Sequence, residues 1–376
     1  MDNRRKAFEL GLAKRRTSMC EKTPIYKNLA KEIMRQIIRG DLVPGHKLPT
    51  LRDMAAKHDV HYHTIRLAYK ELESDGFVRS ARRGGTIICS PGEQHNTVFA
   101  VFPFEHESNS LFHRSLHAIQ DVMQTQKGIS VESINTGSLK NPELAALKRI
   151  AGLKRSGLII FPGMAPASNA EIKKLISNGA PVVLVDRRFD QFPTWNVASD
   201  NYDGGRLAAR ALIRSGCRRM AIVYQEQFSS TRERRDGFLD ALQEADLSPA
   251  PGCIRLMTLE EVNSVSATEA LLRLSPRPDG IFYTNDYGAL QGIHRMHERG
   301  IAIPNEIAVV GFDDMEAAAL CYPALTTIRQ DTYEIGRQAA LLWLEQLTLP
   351  PVERKKERTI KVPVGLVERF TTNHMA

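Results

Sequence analysis

Charged and amide side chains follow three apolar runs in the C-terminal three quarters of the sequence. These segments are Asp186-Arg187-Arg188 after Val182–Val185, Thr284-Asn285-Asp286 after Ile281–Tyr283, and Gly311-Phe312-Asp313-Asp314 after Ile307–Val310. Carboxylate, amide and guanidinium groups present paired hydrogen-bond donors or acceptors, which suit a polyhydroxylated ligand. With one further arginine they predict a small-molecule site, and its candidate residues are Arg187, Arg234, Asn285, Asp286 and Asp313.

Other interpretations of these residues stay open. Each could cap a helix or satisfy a loop, and Asp200 and Asp203 are the foremost candidates for caps because they precede a helical pattern. The adjacent pair Asp313-Asp314 could indicate catalysis or a metal site. No nucleophile motif, Gly-x-Gly-x-x-Gly run, Gly-Lys-Ser/Thr loop or histidine cluster accompanies it in the sequence. We therefore expect neither an enzyme nor a bound cofactor or metal.

A second group of polar residues opens a helical pattern near residue 61. Its apolar stripe consists of Ile65, Ala68, Tyr69 and Leu72. Arg66 falls on the opposite face, where an arginine can pair with guanine edges in the major groove of DNA. The preceding helix is predicted to run from Leu51 to about His58, with Thr50 as its N-cap and Asp53 completing a short capping box.

A basic turn after these helices predicts a hairpin. Phe77–Ser80 and Thr86–Ile88 are prone to form strands, and between them lies Ala81-Arg82-Arg83-Gly84-Gly85. A helix-turn-helix followed by such a hairpin is a winged helix, whose wing contacts phosphates or the minor groove. The candidate DNA-binding residues are Arg52, His61, Tyr62, His63, Thr64, Arg66, Arg82, Arg83 and Gly84.

The distribution of charge supports a polyanionic partner for this segment alone. The chain of 376 residues carries 51 Lys and Arg against 43 Asp and Glu, a net charge of +8. Residues 1–96 contain 19 basic and 11 acidic residues, so they hold the whole excess. A basic domain joined to a neutral one indicates that only the first binds nucleic acid.

Composition and pattern also predict the domain organisation. We expect a basic arm over residues 1–22, a winged helix over 23–90, a linker over 91–96, and a two-lobed domain for effector binding and dimerisation over 97–372. In the last part, short apolar strands alternate with amphipathic helices, which predicts an α/β fold with doubly wound parallel sheets.

Two exclusions concern the compartment. No run of about 18 apolar residues is present, and the basic N-terminus lacks the apolar stretch of a secretory signal. The five cysteines are scattered without a Cys-x-x-Cys motif, which suits a reducing compartment. We expect a cytoplasmic protein without a membrane partner.

Residues 25–88 resemble the GntR-type winged helix. The matching elements are Pro44-Gly45, Leu48-Pro49-Thr50, Arg52, Thr64-Ile65-Arg66, Leu72-Glu73 and Gly76. The resemblance implies that Arg52, Thr64 and Arg66 contact DNA. His61-Tyr62 stands where the family usually has Ser/Thr-Arg, so the operator sequence cannot be taken from relatives.

Residues 97–370 resemble the effector domain of LacI/GalR-like repressors, which is similar to periplasmic sugar-binding proteins. The matching segments are Val182–Arg187, Ser199-Asp200-Asn201, Arg234-x-x-Gly237-Phe238, Thr284-Asn285-Asp286, Val309–Asp314 and Leu325–Gln330. The resemblance implies a homodimer of two-lobed subunits, with crossovers near residues 196–198 and 322–328. It also implies a cleft lined by Arg187, Arg234, Asn285 and Asp313.

The combined prediction is a ligand-responsive DNA-binding transcriptional regulator. We expect a repressor of a sugar-related operon that a small sugar-like effector releases from double-stranded operator DNA. The pair Arg187-Arg188 favours an acidic or phosphorylated effector. The alternative is a cytoplasmic solute-binding sensor protein without operator binding.

Overall fold

The computed structural model describes residues 24–39, 41–74, 76–80, 85–89, 96–103, 110–137, 142–153, 156–163, 165–257 and 264–372. The predicted arm over residues 1–22 lies outside these ranges. The chain divides into two compact units, Met1–Gln94 and His95–Ala376, which are described in turn.

The N-terminal unit is a winged helix, as predicted. Its elements are α1 (Ile25–Arg39), α2 (Leu51–His58), α3 (Tyr62–Ser74), β1 (Val78–Ser80) and β2 (Thr86–Ile88). The strands pair antiparallel. The predicted cap is confirmed, since the Asp53 amide donates to Thr50 Oγ1 over 3.2 Å. The predicted stripe of α3 is also confirmed, since Ile65, Ala68, Tyr69 and Leu72 are all buried in the core of this unit.

The first lobe of the C-terminal unit contains a parallel sheet covered on both faces. Its strands are β3 (Asn96–Phe102), β4 (Ile129–Asn135), β5 (Ser156–Ile160), β6 (Val182–Val185), β7 (Trp195–Ser199) and β13 (Arg358–Val362). They lie in the order β4-β3-β5-β6-β7-β13. One face packs against α4 (Ser110–Gln124) and α12 (Thr332–Thr348), the other against α5 (Pro142–Ala151) and α6 (Pro166–Ser177).

The second lobe repeats this arrangement. Its strands are β8 (Met220–Tyr224), β9 (Ile254–Leu256), β10 (Gly280–Tyr283), β11 (Ala308–Asp313), β12 (Thr326–Gln330) and β14 (Val364–Val367), in the order β9-β8-β10-β11-β12-β14. All pairings are parallel except that of β14 with β12. Its helices are α7 (Asn201–Arg214), α8 (Ser229–Glu244), α9 (Val265–Leu272), α10 (Asp286–Glu298) and the short α11 (Glu316–Leu320). The predicted doubly wound architecture is confirmed for both lobes.

The crossovers between the lobes differ from those expected. The chain passes from β7 to α7 at residues 199–201, from β12 to α12 at residues 330–332, and from β13 to β14 at Pro363. The first two begin one to two residues beyond the positions expected near residues 196–198 and 322–328, and the third was not expected. The third crossover arises because β13 and β14 extend different sheets. Helix α12 is held in the first lobe by Gln346, whose amide group pairs with both backbone polar groups of Val182 at 2.8 and 3.0 Å.

The structure also defines the start of α8 and bears on membrane-spanning helices and metal sites. Helix α8 starts at Ser229, three residues before the expected Arg232, so Arg234 lies inside its first two turns. No helix in the described ranges is long and apolar enough to cross a membrane. Those ranges likewise contain no group of three His, Cys, Asp or Glu side chains arranged to hold a metal ion.

Candidate functional site

The exposed face of α3 presents the polar residues that the sequence singled out. His61, Tyr62, His63 and Arg66 are exposed and Thr64 is half-buried, because the opposite stripe of α3 packs into the core. Arg52 is exposed on α2. Neither Arg52 nor Arg66 forms an ion pair with any residue that the structure describes. Both guanidinium groups are therefore available to an external acceptor.

The position of α3 is set by a buried tyrosine. The Tyr69 hydroxyl donates to the Pro49 carbonyl oxygen over 2.9 Å, which ties α3 to the segment that leads into α2. Burial raises the pKa of Tyr69 to about 12, and the Asp53 carboxylate acts in the same direction. This hydroxyl therefore stays protonated at neutral pH and keeps its hydrogen bond. The wing candidates Arg82, Arg83 and Gly84 lie outside the described residues.

Arg234 of the second lobe lies at the boundary between the lobes, where it faces Asp186 of the first lobe. Only 5% of its side chain is exposed, and its guanidinium group lies 3.6 Å from the centre of the Phe312 ring. Nε donates to Asn201 Oδ1 over 2.8 Å and Nη1 donates to the Thr284 carbonyl oxygen over 2.6 Å. The sequence singled out this residue, and the structure places it where β10, β11, α7 and α8 converge.

Two carboxylates of different lobes flank Arg234. Asp186 at the end of β6 and Asp313 at the end of β11 each have a carboxylate oxygen 3.7 Å from an Arg234 nitrogen. Both aspartates have a positive φ, 66° and 128°, which side-chain-bearing residues rarely adopt. Backbone strain of this kind concentrates at functional sites.

Asp313 sits in an unusual electrostatic environment. Burial raises the pKa of its carboxyl to about 8, with Arg234 opposing the shift and Asp286 and Asp186 adding to it. Its Oδ1 accepts from Gln330 Nε2 over 2.7 Å, and Gln330 Oε1 accepts from the Ser199 hydroxyl over 2.6 Å. Ser199 and Gln330 stand at two of the three crossovers, so this chain of hydrogen bonds links the site to the hinge.

Arg187 joins the two lobes. Its guanidinium group lies between the ring of Phe161 in the first lobe, at 4.4 Å, and the ring of Phe228 in the second, at 3.5 Å. Its Nη1 donates to the Pro162 carbonyl oxygen over 3.2 Å. Burial lowers the pKa of Arg187 to about 10, while the Asp186 and Glu143 carboxylates counteract that effect. The guanidinium remains charged at neutral pH and is stacked on both faces.

Two other predicted residues, Asn285 and Asp286, form hydrogen bonds within the second lobe. The Asn285 side chain caps α10 by accepting from the Gly288 amide over 2.6 Å, which is the capping role that the sequence left open. Asp286 is fully buried, and its oxygens accept from Thr327 Oγ1 and from the Met315 amide. Burial raises its pKa to about 6. The geometry favours a structural role for both residues.

Several cleft residues were absent from the predicted set. Among the buried atoms at or near Arg187 and Arg234 that have no hydrogen-bond partner in the described residues are Glu143 Oε1, Asn201 Nδ2, Thr284 Oγ1 and Arg187 Nε, the last of which lies 3.7 Å from an Asp186 oxygen. Asp186 and Thr284 stood in the polar segments that the sequence analysis named after strands but were not among the candidate residues. Phe161 directly follows β5, and the rule that ligands bind at the carboxyl ends of strands would have found it. Glu143 follows a segment outside the described residues and carried no such signal.

Comparison with known proteins places both units. Residues 25–88 match the family described as bacterial regulatory proteins, gntR family, and residues 209–372 match a periplasmic binding protein-like domain. The arabinose metabolism transcriptional repressor of Geobacillus stearothermophilus is 29% identical over 346 residues, 89% of this chain and 95% of that protein. The ribose operon repressor of Bacillus subtilis is 29% identical over 212 residues, 56% of this chain and 63% of its own.

Solved structures agree on the fold. The transcriptional regulator CelR in complex with cellobiose has a TM-score of 0.65 and 21% sequence identity, covering 86% of this chain and 100% of that one. The relatives are transcriptional repressors, which confirms the prediction of a non-enzymatic regulator and does not support the alternative of a sensor without operator DNA. The chain therefore joins a gntR-family DNA-binding domain to a periplasmic-binding-protein-like domain, and over most of its length it is similar to transcriptional repressors.

Proposed function

We propose that this protein represses a sugar-related operon and that a small sugar-like effector, bound between the two lobes, releases it from its operator. It acts in the cytoplasm as a homodimer, with two winged helices on a pseudo-palindromic DNA site. The relatives named as arabinose and ribose repressors support the sugar class. DNA contact through Arg52, Arg66 and the predicted wing supplies operator affinity.

The observation that carries the effector proposal is the set of unsatisfied polar atoms in the cleft. Buried polar groups in folded proteins are almost always hydrogen-bonded, and an unpaired one costs about 1–3 kcal/mol. Here Glu143 Oε1, Asn201 Nδ2 and Thr284 Oγ1 are unpaired among the described residues and lie around two arginines. A polyhydroxylated molecule provides donors and acceptors for all three, so its binding recovers this energy.

Effector binding is coupled to DNA through the arrangement of the lobes. A ligand shifts an equilibrium only by its difference in affinity between two conformations, typically about 1–3 kcal/mol. The lobes are joined by three strand crossovers, and Arg187 and Arg188 of the first lobe contact Phe228 and Ser229 of the second. An effector that changes these contacts changes the lobe arrangement and thereby the operator affinity of the dimer.

The proposal is tested with the full chain in two steps. DNA that binds is first selected from a random-sequence pool, and its affinity is measured by fluorescence anisotropy over a range of salt concentrations. A steep loss of affinity with salt is expected for a protein that neutralises phosphates. Arabinose, ribose and other sugars are then added. Release by at least one sugar is the expected result, and a protein that selects no DNA would contradict the proposal.

Arg234 provides a variant that separates the two activities. We expect Arg234→Ala to bind the selected DNA as the wild type does but not to respond to sugar, because the substitution removes the cation between Asp186 and Asp313. The matched control is Arg235→Ala, whose side chain pairs with Glu226, which precedes α8, and with Asp236 within α8. A retained response in Arg234→Ala would remove this residue from the ligand site.

A further inference from the structure

Glu143 is a buried carboxylate that no catalytic or folding role accounts for. It is 9% exposed and lies in the first turn of α5. Its Oε2 accepts from the Gly163 amide over 2.7 Å, just beyond the carboxyl end of β5. Its Oε1 is buried and has no hydrogen-bond partner in the part of the chain that the structure describes. One oxygen is therefore anchored by the backbone and the other is left to accept from something else.

The arginines of the cleft are already matched by carboxylates. Arg234 lies 3.7 Å from both Asp186 and Asp313, and Arg187 Nε lies 3.7 Å from Asp186. At the rim, Arg188 pairs with Glu233. Glu143 adds a further carboxylate near Arg187, because it accepts from the Gly163 amide and Arg187 donates to the carbonyl oxygen of the adjacent Pro162. The raised pKa of Asp313, about 8, leaves that carboxyl mostly protonated at neutral pH, yet Asp186, Glu143 and Glu233 still equal Arg187, Arg188 and Arg234 in number. The described part of the cleft thus holds no cation in excess of its anions.

We propose that the cleft selects an uncharged polyol and rejects its anionic derivatives, and that Glu143 is the residue that makes this distinction by accepting a hydrogen bond from a ligand hydroxyl. This inference rests on the proposed function and narrows its effector class. It differs from the expectation that Arg187-Arg188 draws an acidic or phosphorylated sugar. That expectation counted the arginines without the carboxylates that face them.

The physical reason is the cost of placing a second anion beside a buried carboxylate. Like charges a few ångströms apart repel strongly where water is largely excluded. A phosphate or carboxylate ligand needs an unmatched arginine or free backbone N–H groups, whereas a sugar hydroxyl donates to Glu143 Oε1 without adding charge. Hydrogen bonds to a charged group are also stronger than those between neutral groups.

The first test measures ligand binding directly on the full chain, by thermal shift and calorimetry. The probes are matched pairs that differ in charge: L-arabinose and L-arabinonate, D-ribose and D-ribose 5-phosphate, D-xylose and D-xylonate, D-glucose and D-glucose 6-phosphate. We expect at least one neutral member to bind and its anionic partner to bind at least about a hundredfold more weakly. Equal or tighter binding of the anion, or no binding by any neutral probe, overturns the inference.

The second test uses Glu143→Gln. The glutamine oxygen must accept from the Gly163 amide, so its NH₂ group replaces Oε1 and turns an acceptor into a donor. We expect the neutral sugar to bind at least about tenfold more weakly and the difference between neutral and anionic probes to shrink by a similar factor. The matched control is Glu132→Gln, an exposed carboxylate of the same lobe that pairs with Arg149 and should leave both affinities unchanged.

Further readouts keep folding and function apart. Unfolding curves without ligand show whether Glu143→Gln is folded, and the wild-type panel decides the charge preference without any variant. Because these assays contain no DNA, their failure is distinct from failure of the proposed function. Operator release by an anionic probe would overturn the charge inference and leave the repressor proposal standing. A neutral sugar that binds without releasing DNA would contradict the proposed release from the operator and leave the charge inference standing.

Discussion

At the scale of single residues, Arg66 tests the DNA-binding surface. It is exposed on α3, forms no ion pair with another described residue, and lies opposite the buried stripe of that helix. We expect Arg66→Ala to weaken binding to selected DNA by about 1–3 kcal/mol and to relax its sequence preference, because an arginine that reads a base edge contributes that much. Fluorescence anisotropy at fixed salt measures the change.

The control for this variant is Arg277→Ala. Arg277 is exposed in the C-terminal unit and carries the same charge, so its removal alters the net charge equally without touching the winged helix. If both variants lose the same small amount of affinity, the effect is one of overall charge. In that case Arg66 makes no base contact.

The Asp313 carboxyl predicts a pH dependence of stability. Burial raises its pKa from 3.8 to about 8, so the folded protein binds this proton more tightly than the unfolded chain does. The resulting stabilisation is complete below the unfolded pKa and is lost as the pH rises through about 8. We therefore expect the free energy of unfolding of the wild type, relative to Asp313→Asn, to fall between about pH 5 and about pH 9.

Urea unfolding of both proteins across that range provides the measurement. The buried groups facing Asp313 are Arg234, which lowers its pKa, and Asp286 and Asp186, which raise it. Asp286, whose pKa is raised to about 6, interacts with Asp313, so its titration contributes to the difference below about pH 7 and only the fall above that pH belongs to Asp313 alone. A difference that stays constant with pH would show that Asp313 is ionised throughout.

At the scale of elements, the crossing of α7 and α8 depends on two glycines. A Cβ at Gly205 would overlap the Arg234 carbonyl oxygen, and one at Gly237 would overlap the Tyr202 carbonyl oxygen. The close approach brings Asn201 on α7 to Arg234 on α8. We expect Gly205→Ala to lower the free energy of unfolding by about 1–3 kcal/mol and to weaken sugar binding, since the helices must move apart.

Gly365→Ala is the matched control for this substitution. Gly365 lies in β14, its φ is not positive, and no atom lies within 4 Å of a Cβ placed there. Its replacement should change stability by no more than about 0.5 kcal/mol. Sugar affinity that survives in Gly205→Ala despite lost stability would separate helix packing from the geometry of the ligand site.

The elements that the sequence predicted are those with a strong apolar pattern. Strands such as Val182–Val185 and Met220–Tyr224 are buried runs with little polar content, and their bounds were predicted exactly as the structure has them. Strand β7 was not predicted, because its sequence Trp-Asn-Val-Ala-Ser carries polar residues that become buried only through tertiary contacts. Strand β13 lies at a sheet edge and was missed because three of its five residues, Arg358, Thr359 and Lys361, are polar and exposed.

At the scale of the whole molecule, polar contacts across the cleft hold the lobes together. Arg188 of the first lobe pairs with Glu233 of the second, and its amide donates to Ser229 Oγ over 2.9 Å. We expect Glu233→Gln to weaken sugar affinity by about two- to tenfold, because a partly buried ion pair of about 1 kcal/mol biases the lobes toward the closed arrangement. Operator affinity without sugar should change little.

The control is Glu345→Gln, which removes an ion pair with Arg358 inside the first lobe. The Glu345→Gln substitution removes a comparable ion pair and leaves the contacts between the lobes unchanged. Small-angle scattering with and without sugar measures closure directly. An unchanged sugar affinity in Glu233→Gln would mean that the stacking of Arg187 between Phe161 and Phe228 is sufficient to keep the lobes closed.

Local periodicity, capping and charge were enough to predict the fold class, the winged helix, the stripe of α3 and the polar residues at the ends of strands. They could not show which of those polar residues have unpaired atoms between the lobes, because that depends on tertiary contacts. Asn285 caps α10 and Asp286 accepts from the Met315 amide, whereas Glu143 and Thr284 each have a buried side-chain oxygen without a hydrogen-bond partner among the described residues. The same holds for the third crossover at Pro363. Burial, pairing of charges and sheet membership depend on segments far apart in the chain, and no local pattern encodes them.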